Sequence, residues 1–251
     1  MDGTIYLGPH TIAGARDFVE YLRSSGRGYL FFTNNSSASA EQYAAKLASM
    51  GIQASPSEIL TSGEAMARFL LHHTEHRRVF VVGTPSFEAE VDAAGLVRTE
   101  DKPDAVILAF DRTLTYAKLE RACLLLRAGV PYYATNPDKV CPTEYGYIPD
   151  CGSMAALLCE ATGRMPQFIG KPHAEMVRMG LEKLGAAPES TAMVGDRLYT
   201  DMQMAYDAHI SSILVLSGET REEDLAAADR KPDYVFASVA ELHSALEDAE
   251  S

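Results

Sequence analysis

Three groups of polar residues follow directly on short apolar runs, and their side chains are of types that bind anions or metal ions. The groups are Thr33-Asn34-Asn35 after Leu30–Phe32, Gly170-Lys171-Pro172 after Phe168–Ile169, and Gly195-Asp196 after Ala192–Val194, with Asp201 five residues further on. In a parallel α/β sheet, ligands bind beyond the carboxyl ends of the strands, which is where such residues would lie. These hydroxyl, amide, ammonium and carboxylate groups are therefore the first candidates for a ligand site.

Each group also has a plain structural interpretation when it is taken alone. Asn and Ser after Thr33 favour a turn that caps the next helix. Asp196 could likewise be a capping residue in a loop, Asp201 a solvated helix residue, and Lys171 a surface lysine at a helix start. The full set, which also includes Asp2-Gly3-Thr4, weakens these interpretations. Each of its members stands at the predicted end of a strand or start of a helix.

The elements that would position these residues alternate between two patterns. Short β-branched and aromatic runs predict buried strands at Tyr29–Phe32, Val79–Val82, Val106–Phe110, Tyr132–Ala134, Ala192–Val194, Ile213–Leu216 and Tyr234–Phe236. Amphipathic stretches with helical spacing, such as Tyr116–Arg127, lie between them. This alternation predicts parallel sheets in an α/β architecture.

Composition limits the classes of partner and the compartment. The net charge of −13 over 251 residues argues against nucleic acid and against an anionic membrane surface, because both draw on Lys and Arg contacts. The sequence has neither an apolar stretch of ~20 residues nor a basic-then-apolar start typical of a secretory signal. Its four cysteines lack C-x-x-C spacing and predict free thiols in a reducing, cytoplasmic setting. An acidic chain that binds phosphate needs a local positive centre, such as a divalent metal and a lysine.

The ordered set of motifs resembles the haloacid dehalogenase (HAD) superfamily, and most closely its NagD-like, para-nitrophenyl-phosphatase-like type IIA branch. The motifs that carry the resemblance are Asp2-Gly3-Thr4, Thr33-Asn34-Asn35-Ser36, Asp111-Arg112-Thr113, Thr135-Asn136-Pro137-Asp138, Gly170-Lys171-Pro172, and Gly195-Asp196 with Asp201. The resemblance covers essentially the whole chain. It implies an α/β fold with a Rossmann-like, doubly wound parallel sheet core and an inserted α/β cap domain. The core would comprise residues 1–62 and 167–251, and the cap residues 63–166.

The resemblance also implies a reaction and a role for each motif. Members of the family hydrolyse phosphate monoesters through an aspartyl-phosphate, which divides one hard displacement into two easier ones. The implied catalytic residues are Asp2, as general acid and base, and Lys171. The implied phosphate-binding residues are Thr33, Asn34, Asn35 and Lys171. The implied ligands of Mg²⁺ are Asp2, Asp196 and Asp201.

The first motif departs from the family pattern at its beginning. The pattern is Asp-x-Asp-Gly-Thr, and Asp2 matches its second Asp, so Met1 fills the x position. The nucleophilic Asp and the strand that carries it are therefore expected before Met1 in the complete protein. The alternative is a catalytically inactive relative that binds a phosphorylated metabolite or a partner.

The predicted cap should select the substrate. The candidate specificity residues Asn136, Asp138, Cys141 and Tyr145 lie in segment 136–153, whose Pro, Asp, Tyr and Gly content predicts a loop. The alternative is that Cys141, Tyr145 and Tyr147 only pack this loop against the rest of the protein. His72, His73 and His76, which cluster near the start of the predicted cap, are interpreted as a polar helix end rather than a metal site.

The expected partner is a small phosphorylated metabolite of the sugar phosphate, glycerol phosphate, nucleotide or pyridoxal phosphate type. A homodimer through the cap is a further expectation. A mutase-like phosphotransferase is a weaker alternative, because the large cap favours a phosphatase. A dehydrogenase is disfavoured because no G-x-G-x-x-G follows a strand.

Overall fold

The structure is a computed structural model that describes residues 1–143 and 145–250. It divides into two compact units. The first comprises Met1–Phe32, Ala44–Ile59 and Val177–Ser251, and the second comprises Thr33–Tyr43 and Leu60–Met176. The units thus place residues 33–43 and 167–176 with the inserted segment. The predicted domain limits placed them with the core, and those limits stay a prediction.

Helices and strands alternate along most of the chain. The helices are α1 (Ala15–Ser24), α2 (Ala40–Ser49), α3 (Ser62–His73), α4 (Pro85–Ala93), α5 (Tyr116–Arg127), α6 (Cys151–Thr162), α7 (Ala174–Leu184), α8 (Gln203–Ala208), α9 (Glu222–Ala227) and α10 (Val239–Glu250). The strands are β1 (Tyr6–Leu7), β2 (His10–Thr11), β3 (Phe31–Thr33), β4 (Ile59–Thr61), β5 (Arg78–Val82), β6 (Val97–Arg98), β7 (Ala105–Leu108), β8 (Tyr132–Ala134), β9 (Val140–Thr143), β10 (Gly146–Pro149), β11 (Gln167–Phe168), β12 (Ala192–Gly195), β13 (Ser211–Val215) and β14 (Tyr234–Phe236). None of the helices in the described part of the chain is long and apolar enough to cross a membrane.

The first unit contains a parallel sheet in the order β12-β13-β14. Strands β1 and β2 form an antiparallel pair. Strands β3 and β4 form a separate two-stranded sheet, and each of them has residues in both units. Helix α1 buries Ala15, Phe18 and Val19, at the i, i+3, i+4 spacing that places residues on one helix face. It packs beside α10, whose Val239 and Leu242 are buried. The strands predicted for this unit are confirmed within two residues of their bounds.

The second unit contains a five-stranded parallel sheet in the order β11-β8-β7-β5-β6. All four residues of β7 are fully buried, as expected for a parallel strand that is covered on both faces. Helices α5 and α6 supply Leu126, Met154 and Leu158 to the same core. The predicted α/β class with parallel sheets is confirmed, and so is the helix at Tyr116–Arg127.

The prediction of a loop over segment 136–153 is wrong for most of its length. Strands β9 and β10 form an antiparallel hairpin, and α6 begins at Cys151 after the N-cap residue Asp150. Glu144, in the same segment, lies outside the described residues. Pro and Gly obscured the alternation of the two strands, because both residues are depleted in strands.

Candidate active site

Strand β12 places Asp196 at the carboxyl end of the first unit's parallel sheet. The strand ends at Gly195, so the next side chain lies at the edge where α/β proteins bind ligands. Asp196 is only 4% exposed. Its Oδ2 accepts a hydrogen bond from the Glu219 backbone N–H at 2.9 Å, and its Oδ1 accepts one from the Thr4 hydroxyl at 3.4 Å. Loops after β12 and β13 and the N-terminal segment therefore all hold this carboxylate.

Two glycines press the backbone against the Asp196 carboxylate. A Cβ atom added to Gly3 would lie 2.2 Å from Oδ2, and one added to Gly218 would lie 2.1 Å from it. Gly3 also has a φ of +78°, which glycine adopts at little cost. No side chain fits at either position without displacing the carboxylate. The Asp-Gly-Thr motif at 2–4 thus has a steric reason for its glycine.

Asp201 joins Asp196 as a second buried acid. It lies on the helical turn Leu198–Met202, is 3% exposed, and accepts a hydrogen bond from the Arg197 backbone N–H at 3.2 Å. Burial raises the pKa of Asp196, and the negative charge of Asp201 raises it further. Each carboxylate therefore disfavours the ionised form of the other.

This carboxylate pair has the chemistry of a divalent cation site. Its oxygens are hard ligands of the kind that Mg²⁺ and Ca²⁺ take, and a cation would offset the repulsion within the pair. Asp2, the third predicted ligand, is half-buried, and its Oδ1 accepts a hydrogen bond from the Gly8 N–H at 3.4 Å. Among the described residues no three His, Cys, Asp or Glu side chains form a metal-binding cluster. The full ligand set Asp2, Asp196 and Asp201 therefore stays a prediction.

In the second unit, Thr33 ends β3 and begins a tight turn. The Asn35 N–H donates to the Thr33 hydroxyl oxygen at 3.2 Å, and Asn35 Oδ1 accepts from both the N–H and the hydroxyl of Ser37. Asn35 Nδ2 lies 3.9 Å from Cys141 Sγ. The Asn35 side chain thus stabilises the turn, while the Thr33 hydroxyl uses only an acceptor position in these contacts. Phosphate binding by Thr33 and Asn35 stays a prediction.

Asn34 and Lys171 are brought together through the backbone of Lys171. The Lys171 N–H donates to Asn34 Oδ1 at 2.8 Å, and Asn34 Nδ2 donates to the Lys171 carbonyl at 3.1 Å. Both residues are 7% exposed. The structure therefore assigns the Asn34 side chain a contact with Lys171, which sequence reasoning did not anticipate.

The four predicted specificity residues have different surroundings. Asn136 and Asp138 are buried: Asn136 Nδ2 donates to the Asn34 carbonyl at 2.7 Å, and Asp138 accepts from Asn34 Nδ2 at 3.2 Å. Cys141 is half-buried against the core of the second unit. Tyr145 is 91% exposed near the hairpin turn, so the alternative that it packs the segment down is wrong. Their role in substrate selection stays a prediction.

The histidines near the start of the predicted cap have structural contacts. His72 and His73 are in the last turn of α3, and His73 Nε2 lies 3.3 Å from Glu175 Oε2. His76 lies beyond the helix, with its ring centroid 6.0 Å from that of Tyr133.

Several residues that contact the predicted residues within each unit were missed. They are Thr4, Ser62, Gly218 and the backbone of Glu219. Thr4 stands in a recognised motif and could have been found there. Ser62 is the first residue of α3, and Gly218 and Glu219 lie in the loop after β13. At such positions no periodicity indicates which residue approaches another.

The comparisons with known proteins agree with this fold and these motifs. A family model described as "Haloacid dehalogenase-like hydrolase" matches residues 1–97, and a second HAD-like model matches residues 168–242. An acid sugar phosphatase of Staphylococcus haemolyticus is 35% identical over 248 residues, which cover 98% of this chain and 94% of the relative.

Solved structures are similar over the same extent. A 4-nitrophenylphosphatase from Thermotoga maritima matches with a TM-score of 0.93 and 45% identity, covering 97% of this chain and 94% of that one. A glycerol phosphate phosphatase from Mycobacterium tuberculosis, in complex with magnesium, matches with a TM-score of 0.91 and 35% identity, covering 97% and 74%. Fold and motifs together define a hydrolase of the phosphatase type with an α/β fold. The chain belongs to the haloacid dehalogenase-like hydrolases, in their NagD-like branch, which confirms the predicted resemblance.

Proposed function

We propose that this hydrolase is a Mg²⁺-dependent phosphatase of small phosphate monoesters that works through an aspartyl-phosphate intermediate. The observation that carries the proposal is the pair of buried carboxylates, Asp196 and Asp201, directly after a parallel strand. Burying two like charges together is costly unless a cation accompanies them. The complexes of the similar glycerol phosphate phosphatase with magnesium and with calcium support a divalent cation.

Asp196 would hold the cation directly, with Asp201 as a further ligand or as a group that orients its waters, and with Asp2 as a ligand only in its deprotonated form. When bound, a divalent cation polarises the phosphoryl group and cancels repulsion between an anionic substrate and a carboxylate. Lys171 would neutralise charge on the phosphate and on the nucleophile. The Thr33 hydroxyl and the Asn34 N–H would donate hydrogen bonds to the phosphoryl oxygens.

In the first step, a carboxylate oxygen of the nucleophilic Asp attacks phosphorus, and the bond from phosphorus to the substrate oxygen breaks. Asp2 gives its proton to the departing alkoxide. In the second step, Asp2 takes a proton from water, whose oxygen attacks phosphorus and releases the Asp carboxylate. Inorganic phosphate leaves, and Asp2 is protonated again.

In the family pattern Asp-x-Asp-Gly-Thr, the nucleophile stands two positions before the residue that Asp2 matches. Residues 1–4 have contacts consistent with that register. The Met1 amino group donates to the Phe32 carbonyl in β3 at 3.4 Å, and Thr4 donates to Asp196 after β12. Residues 1–4 therefore contact both β3 and the residue that follows β12.

The experiment is to express the 251-residue chain beside a form extended upstream by about ten residues, one strand plus a short lead. Phosphate release from para-nitrophenyl phosphate is measured with Mg²⁺ present. We expect turnover only in the extended form, because loss of a covalent nucleophile leaves only what binding and electrostatics supply. Equal turnover in both forms would show that the motif register is wrong. No turnover in either form would favour an inactive relative that only binds a phosphorylated ligand.

The substrate class, small sugar, glycerol, nucleotide or pyridoxal phosphates, belongs to this proposal and is tested by comparing those esters. Cytoplasmic location and a homodimer through the cap also stay predictions. Gel filtration of the purified protein at two concentrations tests the dimer.

A further inference from the structure

The Asn34 side chain contacts one residue at two points. Its Oδ1 accepts from the Lys171 N–H at 2.8 Å, and its Nδ2 donates to the Lys171 carbonyl at 3.1 Å. A planar amide that pairs with both backbone groups of one residue fixes that residue's orientation, as a neighbouring strand does in a sheet ladder. The direction in which the Lys171 side chain leaves the backbone therefore depends on Asn34.

Asp138 determines which way the Asn34 amide faces. The Asp138 carboxylate accepts from Asn34 Nδ2 at 3.2 Å, and an ionised carboxylate can only accept hydrogen bonds. Turning the amide over would set Nδ2 against the Lys171 N–H and Oδ1 against two acceptors. Only one orientation satisfies every partner, so Asp138 and Lys171 together fix the amide.

The backbone of Asn34 is held in place as well. Its carbonyl accepts from the Ser62 hydroxyl at 2.6 Å and from Asn136 Nδ2 at 2.7 Å. Asn136 Oδ1 in turn accepts from the Asp138 N–H at 3.0 Å. A Cβ on Gly170 would lie 2.8 Å from Asn34 Oδ1, so the residue before Lys171 must be a glycine for the pairing to form. We call Asn34, Asn136, Asp138 and Ser62 the lysine clamp.

We infer that Asn34 is a positioning residue for Lys171 and that its side chain is not a phosphate ligand. Both hydrogens and the oxygen of the side-chain amide are used in bonds to Asp138 and Lys171, which leaves the side chain no donor for a phosphoryl oxygen. The inference rests on the proposed function, because it assigns Lys171 to the phosphate. It assigns the Asn34 side chain to the placement of a catalytic group, while the Asn34 backbone N–H keeps its proposed contact with the phosphate.

Asn34→Asp tests this with almost no change in shape. The variant keeps an acceptor for the Lys171 N–H, but it loses both donors and sets a second carboxylate against Asp138. Misplacing a catalytic group by about 1 Å costs on the order of 10²-fold in rate. We expect kcat for para-nitrophenyl phosphate in the upstream-extended protein to fall by about that factor, with a smaller change in KM.

Combining Asn34→Asp with a second substitution, Lys171→Met or Asp138→Asn, distinguishes the positioning of Lys171 from a general disruption of the structure. In Lys171→Met the same Asn34→Asp change should cost less than about 3-fold, because the residue that it positions has lost its charge. Adding Asp138→Asn to Asn34→Asp lets residue 138 donate to residue 34 and keeps the net charge of the pair. We expect this double variant to recover at least about 10-fold of the lost kcat. Gln42→Glu, an exposed amide-to-acid change in the same unit, is the matched control and should keep wild-type kcat.

Calorimetric binding of inorganic phosphate with Mg²⁺ supplies a readout that needs no turnover. Asn34→Asp should weaken phosphate binding in the wild-type background and not in Lys171→Met. An unchanged kcat in Asn34→Asp, or an equal loss in both backgrounds, would overturn the positioning role while the phosphatase function stands. Phosphate binding that shows the coupling in a protein without turnover would overturn the phosphatase proposal and leave the positioning role. If neither turnover nor phosphate binding is found, both are overturned.

Discussion

The acidic pair of the first unit and the lysine clamp of the second are built on opposite principles. Asp196 and Asp201 are buried like charges, and burial together with that repulsion raises the pKa of Asp196. In the lysine clamp, each amide group of Asn34 faces a partner of the complementary kind. The acidic pair thus contains an unfavourable charge–charge interaction, whereas in the lysine clamp each amide group of Asn34 has a hydrogen-bond partner.

This difference distinguishes residues that bind a metal ion from residues that hold another residue in position. A group that must hold a metal ion cannot be fully satisfied by the protein, so it lowers stability in the absence of its ligand. A group that only fixes another can be satisfied completely, and it then stabilises the fold. Substitutions in the two regions should therefore differ in their effects on stability as well as on turnover.

The largest expected effect is the loss of turnover in Asp196→Asn. In the upstream-extended protein we expect kcat/KM to fall by at least about 10²–10³-fold, the scale of removing one preorganised electrostatic group. Asp229→Asn, the same chemical change at an exposed position of the same unit, should have no effect. Full activity of Asp196→Asn, or of the wild type in excess EDTA, would contradict the role of the acidic pair.

A half-buried acid in the second unit, Glu90, tests whether an unfavourable ionised carboxylate is confined to the acidic pair. Burial raises the pKa of Glu90 to about 7, against the lowering effect of its hydrogen bond from Thr61. The folded state therefore binds this proton more tightly, so stability is lost as pH rises from about 4.5 towards 7 and above. The loss should be on the order of 2–3 kcal/mol.

Glu90→Gln should remove this pH dependence. Urea unfolding should show the variant to be more stable than the wild type at pH 8 and similar to it at pH 5. Glu120→Gln, at an exposed position of α5, should keep the wild-type slope. If Glu90→Gln also keeps that slope, Glu90 does not titrate in this range.

A smaller effect is expected on the stability of Asp196→Asn. Without metal, removing one of two buried like charges should raise the free energy of unfolding by about 1 kcal/mol. Asn34→Asp should lower it by a similar amount, because it leaves a buried carbonyl without its donor. Urea unfolding in EDTA measures both. The comparison between the two regions fails if both variants shift stability in the same direction.

The smallest expected effect concerns the exposed hairpin. Tyr145→Ala should change the ranking of phosphate esters by about 3-fold in relative kcat/KM, below the ~10-fold scale of a full pocket contact, because its side chain is exposed. It should leave the metal requirement intact, because Asp196 and Asp201 are not in this segment. Equal slowing of every ester would show that Tyr145 has no selective role.

The fold was predictable where a strand is a continuous apolar run. Ala105–Leu108 and Tyr132–Ala134 stand out by composition alone, because a strand covered on both faces reads as a continuous apolar run. Strands β1, β6 and β11, of two residues each, are too short for any periodicity. They form because neighbouring elements supply their partners, which local sequence does not show.

The motifs of the candidate site were predictable from the sequence, but the hydrogen bonds and close contacts between their residues were not. Asp196 and Lys171 stand after apolar runs, and the order of the motifs indicated the family. The hydrogen bonds from Asn34 to Lys171 join residues 137 positions apart, and one sequence contains no signal for such a pair. The close approach of Gly218 to Asp196 was hidden for the same reason.

The most direct test of the account is a calorimetric titration of Mg²⁺ into the metal-free 251-residue chain and its Asp196→Asn variant. This measurement does not depend on the nucleophile, because Asp2, Asp196 and Asp201 are all within the chain. We predict one saturable site in the wild type, binding at least about 10-fold more weakly in Asp196→Asn, and unchanged binding in Asp229→Asn. Equal binding in wild type and Asp196→Asn, or no binding in either, would contradict the claim that the acidic pair is built to hold a cation.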